Sequence, residues 1–425
     1  MTLWEAPPRT PAARAAYEAA ENDRVANPDK YRLGVDAVDF VVDRASRGVA
    51  ERASGSGGGE VFGDPEGWRP GLSQYLGSAA EDGRLNALGA RMAQSTATGR
   101  LIARASIAEY LDEHPEVRER PLDPPIVITG GWRTGTTFLF RLLARDPRLR
   151  APLPAELGAP WKLAGDLEPG ERAQRLEASA AGHHILHVLN PTMAAVHDSG
   201  PELPEECVLG MGTTLHNWGF TATTRLDSYA NWLGGESFTE EYLRHRRLLQ
   251  ILDAQDGRRW VLKAPAHTAE LDHLIATYPG AVVVHLHRDI VETVASGASL
   301  FATYRSTYSD HVDGVDVGRF QTDQTELWLR RSVAVRKSPE AQSVTWLDIQ
   351  YADLVSDPEA ALRRIYEAAG LDSADTAGMI AQHHSAQPRD GKGKHRYGAD
   401  QFGIDPDGLR ERMRFYTDTV PPAVA

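Results

Sequence analysis

The sequence predicts a three-layer α/β domain on a central, mostly parallel sheet, with a helical insertion and a helical N-terminal extension. Three observations lead there. Short apolar runs of buried-strand type recur at Ile126–Ile128, Trp260–Lys263, Ala281–Leu286 and Val344–Ile349. Helical patterns alternate with them, at Gly135–Arg145, Asp289–Leu300 and Pro358–Ala369. A glycine-rich turn joins the first run to the first helix.

Residues 1–120 read as the N-terminal extension, with alanine-rich helices at Pro11–Asp23 and Leu85–Thr98 and a flexible Ser54–Gly59 between them. This part carries no recognisable chemistry and reads as a packing or substrate-covering layer. The α/β domain then takes residues 121–425, opened by the proline-rich Pro121–Pro125. In the helix Gly135–Arg145 an apolar stripe of Phe138, Leu139, Leu142 and Leu143 leaves Arg141 and Arg145 off to one side. Residues of about 160–258 form the insertion, with helices at Glu171–Ala181 and Thr239–Asp253. The polar stretch Tyr308–Gly318 reads as a mobile loop.

Composition bounds the function. At 425 residues, with 41% hydrophobic and 25% charged residues, the chain is long and apolar enough for a large core. A net charge of −13 disfavours nucleic acid and anionic lipid as partners, so an anionic ligand needs a locally basic pocket. Cys207 is the only cysteine, which excludes an intrachain disulfide and a cysteine-rich zinc site. No run approaches the roughly 20 apolar residues of a membrane helix, and Met1–Arg14 has no apolar stretch. A cytoplasmic setting is expected, and homo-oligomerisation stays open.

Two positions can build the basic pocket. Gly130-Gly131-Trp132-Arg133-Thr134-Gly135-Thr136-Thr137 lies between a strand and a helix, where backbone N–H groups and the helix dipole converge on an anion. The Gly130-to-Gly135 spacing fits half of a nucleotide-kinase P-loop, but Thr136 stands where that loop has its lysine. The cation has moved to Arg133, within reach of a leaving oxygen or a transferring group. The second position is Arg288, at the carboxyl end of the strongest apolar run, with Ser296 two helical turns further on. An arginine there suits a bidentate grip on phosphate. A glycine turn with capping threonines, and an arginine paired with Asp289, are the plain structural alternatives.

Together the two sites resemble the sulfotransferase family. Its 5′-phosphosulfate loop, P-K/R-S/T-G-T-T, reads here as Trp132–Thr137, and its 3′-phosphate motif, R-x7-S, as Arg288 with Ser296. Leu262–His267 is similar to its L-K-x-P-x-H segment, and Tyr351–Pro358 to its Y-x-D-L-x-x-D-P segment. Lys394–Tyr397 with Gln401–Gly403 resembles the C-terminal segment of the bacterial branch. The resemblance runs from about residue 124 to the C-terminus, and Trp132 departs from it by replacing proline, which puts an indole near the acceptor.

The resemblance implies a P-loop-like fold and transfer of a sulfuryl group from 3′-phosphoadenosine-5′-phosphosulfate (PAPS) to a hydroxyl of a small-molecule acceptor, leaving 3′-phosphoadenosine-5′-phosphate (PAP), without a metal. It implies that Arg133, Thr134, Gly135, Thr136 and Thr137 hold the 5′-phosphosulfate. Arg288 and Ser296 would hold the 3′-phosphate, Tyr351 would lie near the adenine, and Lys392 and Lys394 would complete the 3′-phosphate pocket. Lys263 would polarise the leaving oxygen. For the base that takes the acceptor's proton, Glu156 is the first candidate, because family members place a glutamate beyond the loop helix beside the acceptor. His267 is the second. Three other groups carry weaker expectations. His183, His184 and His187 have metal-ligand spacing but no supporting motif. His197 with Glu205 and Glu206 reads as a solvated acidic turn before it reads as a pocket wall. Trp161, Trp218, Trp232 and Trp328 read as core before acceptor pocket. A P-loop nucleotide kinase and a non-catalytic nucleotide-binding protein remain the competing functions. Mg²⁺-dependence separates the first, and binding without turnover the second.

Overall fold

The computed structural model describes residues 3–51, 59–165, 167–197, 199–372, 374–386 and 397–420. Five strands form one sheet: β1 (Ile126–Gly130), β2 (Leu149–Arg150), β3 (Arg259–Lys263), β4 (Val282–His287) and β5 (Thr345–Gln350), in the order β2-β3-β1-β4-β5. Every neighbouring pair is parallel. The chain leaves β1 toward one edge and later crosses it to build the other. The carboxyl end of β1 is therefore the point where strand order reverses, and a ligand crevice opens there between β3 and β4.

Side-chain alternation sets the three layers. Val127, Leu262 and Val283 face one way, into a core shared with Leu72, Tyr75, Leu101, Tyr229 and Leu249. Ile126, Ile128, Val261, Val282 and Val284 face the other, against Leu139, Leu142, Leu143, Leu362 and Ile365. The N-terminal helices Val38–Ala50, Arg69–Glu81 and Ala87–Glu113 supply much of the first layer, and Pro11–Ala26 packs outside it in separate small clusters. Residues from Ala37 to Ala105 share a continuous core with the sheet.

Two segments differ from expectation. Tyr308–Gly318 is not a loop throughout: Tyr308 ends the helix Ile290–Tyr308 and Gly314 starts the helix Gly314–Arg336. Between them Ser309 is buried and bridges Leu85, and the Asp313 side chain accepts from the N–H groups of Val315 and Asp316. The polar residues there are helix caps. The edge strand β2 was not expected. It is two residues long and lies between Asp146-Pro147 and Pro152. No helix of the described residues is long and apolar enough to cross a membrane.

Candidate active site

The loop between β1 and the helix Thr136–Leu143 sits at the crevice. Its glycines are required by contact as well as by conformation. Gly130 has φ of +140°, and a Cβ there would lie 2.4 Å from the Leu286 carbonyl oxygen. A Cβ on Gly131 would lie 2.4 Å from Thr293 Cγ2. Arg133 takes a left-handed φ of +60°, a conformation that costs a non-glycine residue about 1–2 kcal/mol. It leaves the Arg133 side chain exposed and turns its carbonyl toward Arg288. The Thr134 hydroxyl donates to the Gly131 carbonyl at 2.8 Å and closes the turn.

Arg288 lies one residue past β4. Its Nη1 donates to the Arg133 carbonyl at 2.9 Å, and its Nε to Glu292 at 2.6 Å. The guanidinium stands 4.3 Å from the centre of the Tyr351 ring, and Tyr351 in turn packs on the loop at Gly135. Loop, arginine and tyrosine form one contiguous wall. Asp289 does not pair with Arg288 but caps the following helix through Val291 N and Glu292 N. Ser296 is buried on that helix. The strand end is braced from behind: His287 bonds Asp348 at 2.8 Å and Tyr416 at 2.6 Å, and Arg336 grips Asp348 with two 2.6 Å bonds. Although burial opposes it, His287 and Arg336 hold the Asp348 carboxyl far below its ordinary range.

On the other side of the crevice Lys263 ends β3. It is only 1% exposed, and Nζ donates to Glu206 Oε1 at 2.6 Å and to Thr137 Oγ1 at 3.2 Å. This fixes a cation against the first turn of the loop helix. Next to Glu206, Glu205 pairs with His197 Nε2 at 3.3 Å, and Arg133 Nη1 reaches the Val196 carbonyl at 3.4 Å. Val196 thus lies against the loop and Glu206 against Lys263, and Glu205 is 6% exposed, not part of a solvated turn. Burial would lower the pKa of His197 and raise that of Glu205. The ion pair outweighs burial in both, raising His197 and bringing Glu205 down to about 2.

That pair has a testable pH signature. Its stabilisation is whole below the unfolded histidine value of about 6.5 and is lost as pH rises through the raised folded value. The stability difference between wild type and His197→Gln in urea should shrink as pH rises above about 6.5. A difference constant over that range would refute the pairing.

Both base candidates sit elsewhere. Glu156 is 2% exposed with both oxygens engaged: Oε2 accepts from its own N-cap, Leu153 N, at 2.9 Å, and Oε1 from Arg150 at 3.1 Å and Arg172 at 2.5 Å. It caps the short helix Pro154–Gly158 and joins two arginines. His267 is 1% exposed and bonded to the Tyr242 hydroxyl at 2.7 Å, and burial, then His245, pushes its pKa down to about 3. Trp132 turns inward, 5.1 Å from the Phe301 ring and 5.9 Å from Trp328, and Trp218 stacks on Phe238. Lys392 and Lys394 lie outside the described residues, as do the side chains of His183 and His184. Sequence reasoning undervalued Glu206. The available signal was its place in an adjacent acidic pair within the insertion, close to His197 in sequence.

A doubly wound parallel sheet with a lysine-free glycine loop and flanking cations at its switch point defines a P-loop-like nucleotide-handling scaffold. The comparisons narrow the class. The sulfotransferase family profile matches residues 124–375. The crystal structure of sulfotransferase STF1 from Mycobacterium tuberculosis superposes with a TM-score of 0.72 at 30% identity, covering 87% of this chain and 97% of that one. Sulfotransferase STF9 from Mycobacterium avium gives 0.75 at 24% identity over 90% and 97%, a likeness of fold. The omega-hydroxy-beta-dihydromenaquinone-9 sulfotransferase Stf3 of Mycobacterium bovis is 28% identical over 272 residues, 59% of this chain and 63% of that protein. The chain belongs to the sulfotransferase family.

Proposed function

We propose that this chain moves the sulfuryl group of PAPS onto a hydroxyl of a small acceptor and releases PAP. The observation that carries the proposal is the single crevice in which Arg288 bonds the loop backbone on one side while Lys263 bonds the loop helix on the other. The two cations flank the loop, and a nucleotide phosphorylated at both 3′ and 5′ positions needs a cation at each end.

The roles follow from position. The loop N–H groups with Arg133, Thr134, Gly135, Thr136 and Thr137 bind the 5′-phosphosulfate. Arg288 and Ser296 bind the 3′-phosphate, and Tyr351, already under the Arg288 guanidinium, supports the adenine side. Lys392 and Lys394 are retained as candidates for the same phosphate. Lys263 stabilises charge on the oxygen between phosphorus and sulfur as that bond breaks. Glu206 is the base that takes the acceptor proton, in place of Glu156 and His267. It is the carboxylate beside Lys263, and engaging Lys263 with the leaving oxygen frees it. His197 and Glu205 position this wall. The buried stem of Lys263 and the loop helix exclude water from the transfer point.

Calorimetric titration with PAP tests the reading. Binding without Mg²⁺, weakened in Arg288→Ala by about 1.5–3 kcal/mol, roughly 10- to 150-fold, is expected for loss of a charged hydrogen bond. Unchanged affinity in Arg288→Ala, or binding only with Mg²⁺, would overturn it.

A further inference from the structure

We propose that a second anion site lies below the crevice, in a cleft of about 330 Å³ lined by Arg141, Arg145, Arg150, Arg172, Arg258 and His383. Its ligand is a tetrahedral oxyanion, sulfate or phosphate, free or as the end of an ester.

The cleft is distinct from the transfer point. Arg141 is one helical turn beyond Thr137, about 6 Å along the helix axis, and Arg145 is a further turn away. Arg258 stands just ahead of β3, whose last residue is Lys263. Five residues of strand separate them, about 16 Å. The cleft is thus built on the lower part of the loop helix and the edge strand β2.

Five arginines in one cleft are unusual in a chain of net charge −13, and the lining itself holds two carboxylates, Glu156 and Glu202. Glu156 is shared between Arg150 and Arg172. Asp256 takes Arg258 at 2.7 Å. Glu202 is the other carboxylate of the lining. Arg145 has no carboxylate partner among the described residues, and its Nε is buried without a hydrogen bond. His383 Nδ1 is in the same condition. A guanidinium N–H shut off from water and left unbonded is destabilising. An oxyanion would accept from Arg145 and add charge where the lining lacks it. Arg150 is 8% exposed and fixed by Glu156 and by the Trp260 ring, 4.5 Å away, so one wall is rigid before any ligand arrives. The other histidine signal agrees: burial first, then Arg145, His384 and Arg141, push His383 down to about 4. A neutral imidazole there leaves the cleft's excess positive charge to the arginines.

The experiment is a titration of the PAP-saturated protein with sodium sulfate, in which the transfer site is already filled. Wild type should bind one sulfate per chain. The Arg145→Ala and Arg258→Ala variants should each weaken it at least tenfold and leave PAP affinity unchanged. In wild type, the His383 imidazole followed by NMR should titrate at higher pH with sulfate present. That readout does not depend on any variant folding. Phenyl phosphate separates the two sources. Tenfold tighter binding than sulfate identifies an ester end, and equal binding a free anion. No sulfate binding at millimolar concentration, binding undiminished in both variants, or an unmoved His383 titration would overturn the proposal. If PAP itself fails to bind, the proposed function falls, but the comparison of wild type with Arg145→Ala still decides the cleft.

Discussion

Replacing Lys263 by methionine is expected to lower turnover about 100- to 1,000-fold, the usual loss when one preorganised charge donor is removed from a transition state. Methionine keeps most of the aliphatic stem and deletes the charge, whose nitrogen stands 5.9 Å from the centre of the Phe140 ring. The register pairs Lys263 with Ile128, two residues before β1 ends at Gly130. No other lysine or arginine donates to Thr137 in the described structure. The substitution also strands Glu206 as a carboxylate facing a thioether, so stability falls along with turnover. The double variant Lys263→Met/Glu206→Gln separates the two effects. Removing both charges should return most of the stability and none of the turnover. The measurement is release of PAP from PAPS with a panel of hydroxyl acceptors, read beside urea unfolding. A Lys263→Met enzyme within tenfold of wild type would show that the charge on the leaving oxygen is carried elsewhere.

The parts of this fold that sequence revealed are those set by neighbours in the chain. A buried parallel strand is an apolar run, and β1, β3, β4 and β5 each fall within a residue or two of the expected segments. The anion loop is written in consecutive residues, because the glycines are needed where Leu286 and Thr293 crowd the turn. Arg288 was visible because it follows the longest apolar run. The strand β2 carried no such signal, since two residues beside an edge form no run. The helix Gly314–Arg336 was hidden by the polar residues that cap it. The carboxylates are less legible for a different reason. Glu156 follows Leu153-Pro154, where no serine or threonine marks a capping box, although its side chain performs half of one. Glu206 meets Lys263 across 57 residues, and an ion pair at that separation is fixed by packing of the insertion on the sheet, which local pattern does not encode.

That difference between the two carboxylates gives different expectations for turnover from the same chemical change. Glu206→Gln should leave PAP affinity close to wild type while lowering turnover by about 100- to 10,000-fold, the range for loss of a general base, and it should lower stability too, because the buried Lys263 loses its charged partner. Glutamine still accepts from Lys263 but takes no proton. Glu156→Gln should cost stability without costing turnover. It leaves Arg150, 8% exposed, without a charged partner, and breaking a buried ion pair from one side costs about 3–5 kcal/mol. Urea midpoints should drop sharply, while turnover per folded molecule stays within a few-fold of wild type. Measuring both variants for stability, PAP binding and turnover makes the assignment decidable. If Glu156→Gln were inactive and stable while Glu206→Gln remained active, the proton would leave by way of Glu156. That would require the Pro154–Gly158 helix to release its cap and both arginines on binding the acceptor, and a carboxylate with three partners at 2.5–3.1 Å has little reason to do so.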